Sequence, residues 1–337
     1  MRYSIIIFCM LFCCLFLFIA KDFLHKPVLD YDQVFYVDTD ASFPQLYDKV
    51  DSLAQSLNPL SKKLLPFFLK KKRLEYWFKP GRYVLKKASS LNDIVNKIRS
   101  QSQDPVNITF NGMDEVSPIL GIINQSLELD SLDFINYLDF IDFPLDSLYF
   151  FLIPNTYEFF WSTSAKELLD RIYIEYNNFW TSSRLQSAHQ INLSKQDVFI
   201  LASIVDKEAS HFDEMPKIAG LYLNRLKKDW PLAADPTIIY IWNKQFNQTI
   251  RRVRNKHIDA TSKSLFNTYY NKGLPPMPIC VPSLQAIEAV LFAEQHEYMY
   301  MCARPDKSEY HNFAKNHREH KKNADAFHQW LNKRKIY

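Results

Sequence analysis

Glycine is scarce in this sequence, with only five among 337 residues. The shortage excludes a collagen-like chain, and the ordinary apolar and charged fractions exclude bulk disorder and a multi-span membrane protein. Because glycine reaches backbone conformations that other residues avoid, we expect some of these few to stand where the backbone needs them. We predict that role for Gly81, Gly112 and Gly273.

Cysteine is also sparse and unevenly placed. Three of the five lie within the first 14 residues, at Cys9, Cys13 and Cys14, in an apolar run where they serve as small hydrophobic residues. Only Cys280 and Cys302 are left for the folded part of the chain. The sequence leaves open whether those two form a disulfide.

Neither a metal site nor a nucleic-acid-binding surface is indicated by the polar residues. His317 and His320 lie three apart on a predicted helix, but no further residue at a familiar spacing completes a ligand set. The net charge of +4 is small for the length, and the basic runs at residues 70–73 and 333–335 are short. We therefore predict no metal, no cofactor and no nucleic-acid partner.

Long hydrophobic runs are rare, but one opens the chain. Residues 3–20 are almost wholly apolar, and as a helix they would reach roughly 27 Å, close to the thickness of a bilayer core. The alternative is a cleaved signal peptide, against which stand the length of the run and the lack of a small-residue cleavage site. We predict a transmembrane anchor at residues 1–20 and a single-pass protein of the cytoplasmic membrane, with its catalytic part on the extracytoplasmic side.

The rest of the chain predicts an α+β fold. A linker at 21–32 precedes an N-terminal α/β region at 33–150, and a mixed catalytic domain follows at 151–337. Capping and periodicity predict the following elements: a turn entering a strand at 79–85, a strand at 106–110, helices at 194–209, 213–228 and 283–294, a hairpin at 298–314, and a closing polar helix. Prolines predict that residues 231–282 are mostly loop.

Glu208 is the candidate catalytic acid. On a helix that begins after Ser194, it projects onto the apolar face, whose members are Val198, Leu201, Ala202 and Val205. A carboxyl group against apolar side chains has a raised pKa, and so it can stay protonated and act as a general acid. The alternative is a glutamate at a helix end that reaches water or pairs with an arginine.

A second carboxylate near Glu208 would favour hydrolysis of a glycosidic bond over lytic transglycosylation. Hydrolytic glycosidases use two carboxyl groups around the bond, and Asp206 lies about 160° away from Glu208 on the helix. Asp235 is a possible partner, unless it only caps the turn before Pro236. A single acid/base suits lytic transglycosylation, in which a hydroxyl of the sugar itself displaces the leaving group.

Several segments carry a family resemblance. Residues 202–208 read ASIVDKE and resemble the ASIIEKE motif of the endolytic murein transglycosylases, the YceG-like or MltG-like family. Other matching segments follow in the family's order: residues 79–83, 154–157, 224–226, 235–237, 267–269, 273–276, 278–279, 282 and 311–313. The chain departs from the pattern at Asn111, at Ala233–Ala234 and at Tyr310, where the family has a glycine.

The resemblance implies a mechanism, a module and partners. Glu208 would protonate the bond between MurNAc and GlcNAc and then take the proton of the MurNAc C6 hydroxyl, leaving a 1,6-anhydro end. The region before Phe150 is similar to a LysM-like module, with Gly81 and Gly112 as turn residues. Such enzymes cut nascent glycan strands at the membrane, beside penicillin-binding synthases, and so set strand length.

The resemblance also implies six substrate-binding residues in the cleft: Asn224, Arg225, Asp235, Thr237, Asn267 and Tyr269. Asn224 and Arg225 could equally tie their helix to the following loop. Two other functions stay open at this point. One is a muramidase that uses water with Asp235 as the base, and the other is a non-catalytic peptidoglycan-binding scaffold.

Overall fold

The computed structural model describes residues 2–110, 113, 115–250 and 252–334. The helices are Arg2–His25 (α1), Phe43–Leu53 (α2), Pro59–Lys63 (α3), Leu65–Lys71 (α4), Leu91–Arg99 (α5), Pro118–Ser126 (α6), Ser131–Phe140 (α7), Leu148–Phe151 (α8), Ala165–Phe179 (α9), Ser182–Gln190 (α10), Lys195–Glu208 (α11), Met215–Lys227 (α12), Asp235–Phe246 (α13), Asn255–Ala260 (α14), Leu284–Leu291 (α15) and His317–Lys333 (α16). The strands are Gln33–Val37 (β1), Gly81–Leu85 (β2), Val106–Phe110 (β3), Asn155–Phe159 (β4), Tyr300–Ala303 (β5) and His311–Ala314 (β6).

The strands form three two-stranded sheets: β1 with β2, β3 with β4, and β5 with β6. The first and third sheets are antiparallel, with Val37 opposite Gly81 and Ala303 opposite His311. Helices and strands alternate irregularly along the chain, which confirms the mixed α+β class.

Two compact units divide the chain. Unit 1 comprises residues 1–108, 122–133 and 158–165, and unit 2 comprises residues 109–121, 134–157 and 166–337. In unit 1, buried side chains of α2, α4 and α5 pack with β1 and β2 in one hydrophobic core. Ser90 caps α5 by accepting a hydrogen bond from the backbone N–H of Asp93, whose carboxylate accepts in return from Ser90.

The predicted transmembrane anchor needs correction. Among the residues described, no helix has the length and hydrophobicity to cross a bilayer. That finding contradicts an anchor at residues 1–20 and the single-pass membrane location. The first helix instead runs on to His25, and its last turns belong to unit 1: Phe23 is buried and stacks on Phe68 at 4.4 Å, while Asp22 accepts a hydrogen bond from the backbone N–H of Asn58.

Two of the three predicted glycine positions do need glycine. Gly81 has a φ of 148°, and a Cβ there would collide with the side chain of Gln103; Gly273 has a φ of 81°. Both values lie where side chains are rarely tolerated. Asn111 and Gly112, predicted as a turn, lie outside the described residues.

Helix α11 is the centre of the core of unit 2. Ser194 and Asp197 form a reciprocal capping box at its start, as the sequence indicates. Eight consecutive residues, 198–205, are buried, and α12 and α15 pack against them. In α12, Gly220 has the backbone carbonyl of Glu294 so close that a Cβ would collide with it. The glycine therefore permits a close approach that the sequence did not reveal.

Residues 231–282 are mostly loop, as predicted, but helices α13 and α14, which the prediction missed, lie within this segment. Pro236 occupies the first turn of α13, where a missing N–H has no cost, so this proline begins a helix. Asn247 ends the helix in the left-handed conformation, with a φ of 49°.

Candidate active site

Glu208 is the last residue of α11 and lies in unit 2. The apolar face beneath it, including Leu201, Ala202 and Val205, is fully buried. The residue as a whole is half-buried, but its Oε2 atom is sealed from solvent and has no hydrogen-bond partner within the described part of the chain. The hydroxyl of Tyr222, on the neighbouring α12, is buried in the same way.

The surroundings of Glu208 raise its pKa to about 7, so a large share of its carboxyl groups is protonated near neutral pH. Burial is the largest cause and the nearby Asp235 carboxylate acts in the same direction, whereas His311, Arg225 and the Tyr222 hydroxyl lower the pKa. Desolvation is the largest cause because charge is disfavoured in an apolar wall. A pKa near the working pH lets one carboxyl both give and take a proton.

Asp206, two residues earlier, points elsewhere. Its carboxylate accepts a hydrogen bond from the hydroxyl of Ser283, which caps α15. It takes no part in the wall around Glu208, as the helical projection predicts.

Asp235 and Tyr269 form a second polar element of the site. Asp235 is exposed at the first turn of α13, and the Tyr269 hydroxyl donates a hydrogen bond to its Oδ1 atom at 2.5 Å. Burial, then the Asp235 carboxylate and Glu208, raise the pKa of the Tyr269 hydroxyl, so it stays a donor. The structure thus brings Asp235 and Tyr269 within electrostatic reach of Glu208.

Arg225 and Asn224 lie side by side on α12 and bind backbone carbonyls. The Nε atom of Arg225 donates to the carbonyl of Met299 at 2.9 Å, and another guanidinium nitrogen donates to that of Leu232. The amide nitrogen of Asn224 donates to the carbonyls of His296 and Tyr298 at 2.8 and 3.0 Å. Only Arg225 also acts on Glu208, through its charge.

Thr237 and Asn267 are fully buried and support the loops that carry Asp235 and Tyr269. The Thr237 hydroxyl donates to the carbonyl of Ala234 and meets the hydroxyl of Thr268 at 2.9 Å. The Asn267 amide nitrogen donates to the carbonyl of Ile258, and its Oδ1 accepts from the backbone N–H of Tyr269. Both side chains are buried and hydrogen-bonded within the protein.

Three residues of the site did not emerge from sequence reasoning: Tyr222, Glu214 and His311. Glu214 precedes α12 and is buried, and it binds His311, the first residue of β6. The matching segment at residues 311–313 was the only signal for His311. Nothing local marks Tyr222, because its proximity to Glu208 arises from the packing of α12 on α11.

The described residues contain no cluster of three or more His, Cys, Asp or Glu side chains able to hold a metal ion. His317 and His320 flank Tyr300 instead, and His320 stacks on that ring at 5.1 Å. Cys302 carries a free thiol, so it does not pair with Cys280.

Comparisons with known proteins identify a family and relatives of this chain. A profile of the YceG-like family matches residues 35–326. An endolytic murein transglycosylase of Bacillus subtilis is 26% identical over 291 residues, which cover 79% of this chain and 78% of that protein. One from Streptococcus pneumoniae serotype 2 is 30% identical over 174 residues, covering 52% of this chain and 31% of that protein.

A solved structure shares the fold. The crystal structure of a YceG-like protein from Listeria monocytogenes superposes with a TM-score of 0.54 at 22% identity, over 86% of this chain and 98% of that one. The family profile spans most of the chain and includes Glu208, Asp235 and His311. The chain therefore belongs to the YceG-like family.

Proposed function

We propose that this chain is an endolytic lytic transglycosylase of peptidoglycan, with Glu208 as its single acid and base. Family membership and the names of the curated relatives support the reaction class. The observation that carries the assignment to Glu208 is its carboxyl group: half-buried on an apolar wall, with a pKa of about 7.

In the first step, the protonated carboxyl of Glu208 donates its proton to the oxygen that links MurNAc C1 to GlcNAc. The C1–O bond breaks, and GlcNAc leaves with a free hydroxyl. Positive charge develops at C1 of MurNAc, as in other glycosidic cleavages. Burial supports this step, because it keeps Glu208 protonated where an exposed glutamate would already be ionised.

In the second step, the resulting carboxylate takes the proton of the MurNAc C6 hydroxyl. The C6 oxygen bonds to C1 and closes the 1,6-anhydro ring, so no water is consumed and Glu208 regains its proton. One group serves both steps when its pKa is close to the pH. Arg225 stabilises the transient carboxylate through its charge.

The six predicted cleft residues divide into three groups in this proposal. Asp235 and Tyr269 contact the sugar, since one is exposed and the other half-buried beside Glu208. Arg225 acts on Glu208. The other three, Asn224, Thr237 and Asn267, position the loops, because their polar groups are engaged with backbone and buried hydroxyls.

The test compares the products of the full chain with those of two variants on the same helix. Wild type is incubated with uncross-linked glycan strands, and mass spectrometry identifies the ends. We expect 1,6-anhydroMurNAc ends that disappear in Glu208→Gln. Asp206→Asn is the matched control, since its carboxylate binds Ser283 rather than the cleft, and it should retain cleavage.

Other products would point to the alternatives. Reducing MurNAc ends that are lost in Glu208→Gln, and also in Asp235→Asn, would indicate a muramidase with Asp235 as the base. Binding of strands without cleavage by the wild type would indicate a scaffold.

Two finer parts of the proposal rest on the family resemblance. The region at 33–150 would contain a LysM-like glycan-binding module, and the enzyme would work beside penicillin-binding synthases on nascent strands. The first is tested by strand binding in variants of exposed residues of unit 1, such as Trp77→Ala, which should weaken binding. The second is tested by cross-linking in cells, where a synthase should be captured.

A further inference from the structure

We infer that Glu214 and His311 form a positioning pair for Glu208, in which Glu214 holds the His311 ring so that its positive charge accompanies both proton transfers. The inference rests on the proposed function, because it assigns these two residues to the same reaction. Neither touches the reacting atoms in this scheme. Both act through the Glu208 carboxyl group.

The two side chains are joined by a double contact. Glu214 Oε2 lies 2.7 Å from His311 Nδ1, and Glu214 Oε1 accepts the backbone N–H of His311 at 2.8 Å. The side chains are only 5% and 14% exposed. With Nδ1 and the main chain both held by one carboxylate, the ring has a fixed orientation and its Nε2 atom points away from Glu214.

The segments that carry the pair are fastened to each other by further contacts. The Tyr310 ring stacks on His211 at 4.0 Å, and its hydroxyl donates to Asp213 at 3.1 Å. His211 Nε2 lies 2.6 Å from the carbonyl of Ser308. The turn before β6 is thus bound to the loop that follows Glu208, which keeps His311 at a constant place relative to that residue.

Few charged groups influence His311 and Glu208. Burial disfavours the His311 cation, but the bound Glu214 and the Glu208 carboxylate outweigh it, so the pKa of His311 is raised. Glu208 in turn has His311 and Arg225 as cations, with Asp235 as an anion and Tyr222 as a neutral hydroxyl. His311 is the largest of the influences that favour the carboxylate form.

This arrangement suits Glu208, because its carboxyl group changes charge twice during the proposed reaction. When Glu208 gives its proton to the leaving oxygen, it becomes a carboxylate beside the imidazolium of His311. When it takes the C6 hydroxyl proton, it becomes neutral again. His311 and Glu214 exchange no proton in either step, so the balance of the reaction is unchanged, and their effect is electrostatic.

The first experiment measures kcat against pH for Glu214→Gln and His311→Gln. Either change removes the cation next to Glu208, so the pKa of Glu208 rises and the protonated, active form persists to higher pH. We expect the alkaline limb of the profile to move up by about one pH unit. The plateau of kcat should fall roughly tenfold, with KM nearly unchanged.

Glu297→Gln is the matched control. Glu297 also pairs with a cation that follows β6, Lys315 at 2.7 Å, but that pair is exposed and has no influence on Glu208. Its profile should match that of the wild type. Equal alkaline limbs in all four proteins would overturn the inference, because a purely structural contact would lower activity without moving the limb.

A second measurement is independent of catalysis. The imidazole of His311 is titrated by NMR, with its signal assigned from its loss in His311→Gln. Since coupling between two groups is reciprocal, Glu208→Gln should lower the pKa of His311, and Glu214→Gln should lower it more. An unchanged titration in Glu208→Gln contradicts the inference. If wild type cuts no glycan, the proposed function fails, and the titration still decides whether the pair is coupled to Glu208.

Discussion

At the scale of the residue, burial has two opposing effects on Glu208. Burial on the wall of α11 keeps its carboxyl protonated, which suits an acid, but the same burial penalises the ionised form. The Tyr222 hydroxyl is buried beside Glu208 and lowers the pKa of its carboxyl group, so it offsets only part of that penalty. We infer that the burial of Glu208 lowers the stability of the folded chain and also gives the carboxyl group the raised pKa that the proposed reaction requires.

Stability should therefore depend on pH through Glu208. Its pKa is about 7 in the folded chain against 4.5 when exposed, so the folded state binds more protons between those values and stability falls as pH rises through that window. At about 1.4 kcal/mol per pH unit the full effect is roughly 3 kcal/mol. We expect Glu208→Gln to unfold at higher urea than wild type at pH 8, with the advantage vanishing near pH 4.

Asp206→Asn provides the comparison for that measurement, since it removes a carboxylate from the same helix outside the apolar wall. A stability gain in Asp206→Asn as large as that in Glu208→Gln would trace the effect to helix charge. Equal urea midpoints for Glu208→Gln and wild type at pH 8 would mean that Glu208 carries no burial penalty.

At the scale of the element, the site is built from helix ends. Glu208 closes α11, Glu214 precedes the first residue of α12, and Asp235 opens α13. The partial negative charge at a helix C-terminus disfavours a carboxylate, whereas the positive N-terminus favours one. The C-terminal end of α11 therefore acts in the direction that the proposal requires, because it disfavours the charged form of Glu208.

The close approach at Gly220 positions α12 and hence Tyr222 and Arg225. In Gly220→Ala the new Cβ would meet the carbonyl of Glu294, and backbone cannot move aside easily. We expect a loss of about 1–3 kcal/mol in the free energy of unfolding, measured with urea. Glycan cleavage should fall as well, because α12 must shift away from Glu208.

Gly121→Ala in α6 is the control for this substitution. No atom of the described residues lies within 4 Å of a Cβ at that position, so alanine should be neutral or stabilise the chain by about 0.5–1 kcal/mol. Equal stabilities for the two variants would show that α12 tolerates a side chain at residue 220.

At the scale of the whole molecule, the residues that the structure describes include two hydrophobic cores. One is built from residues of unit 1 and the other from residues of unit 2. Glu208 and the groups that act on it belong to unit 2. A compact unit with its own core commonly unfolds as a cooperative transition.

Substitution in one core should leave the other intact. Leu46 is fully buried in unit 1, so Leu46→Ala should destabilise that unit by about 2–5 kcal/mol. Calorimetry should show one transition at lower temperature and one unchanged, and Leu201→Ala in unit 2 should give the reverse pattern. A single transition that both variants lower equally would mean that the chain unfolds as one unit.

Much of the local structure could be predicted because its causes act within a few residues. The caps at Ser90 and Ser194, the hairpin of β5 and β6, and the raised pKa of Glu208 all follow from patterns shorter than one helix. The family was also evident from short motifs in a fixed order. These features depend only on residues that are close together in the chain, so the sequence is enough to predict them.

The errors arose where a local pattern has two meanings. The prolines around Pro236 indicated loop, but a proline in the first turn also begins a helix, and the packing of α13 decided between them. The apolar run at residues 3–20 indicated an anchor, but among the described residues no helix is long and apolar enough to cross a bilayer. The helix that contains this run ends in a segment whose Phe23 lies in the core of unit 1.

The sequence was enough to predict the α+β class, the helix that carries Glu208 and the face on which that glutamate lies. Which groups surround Glu208 depends on the tertiary structure. Glu214 and His311 are 97 residues apart, and Tyr222 reaches Glu208 only because α12 packs on α11. Contacts of this kind depend on the path of the whole chain, and that path results from the burial of two cores rather than from any local pattern.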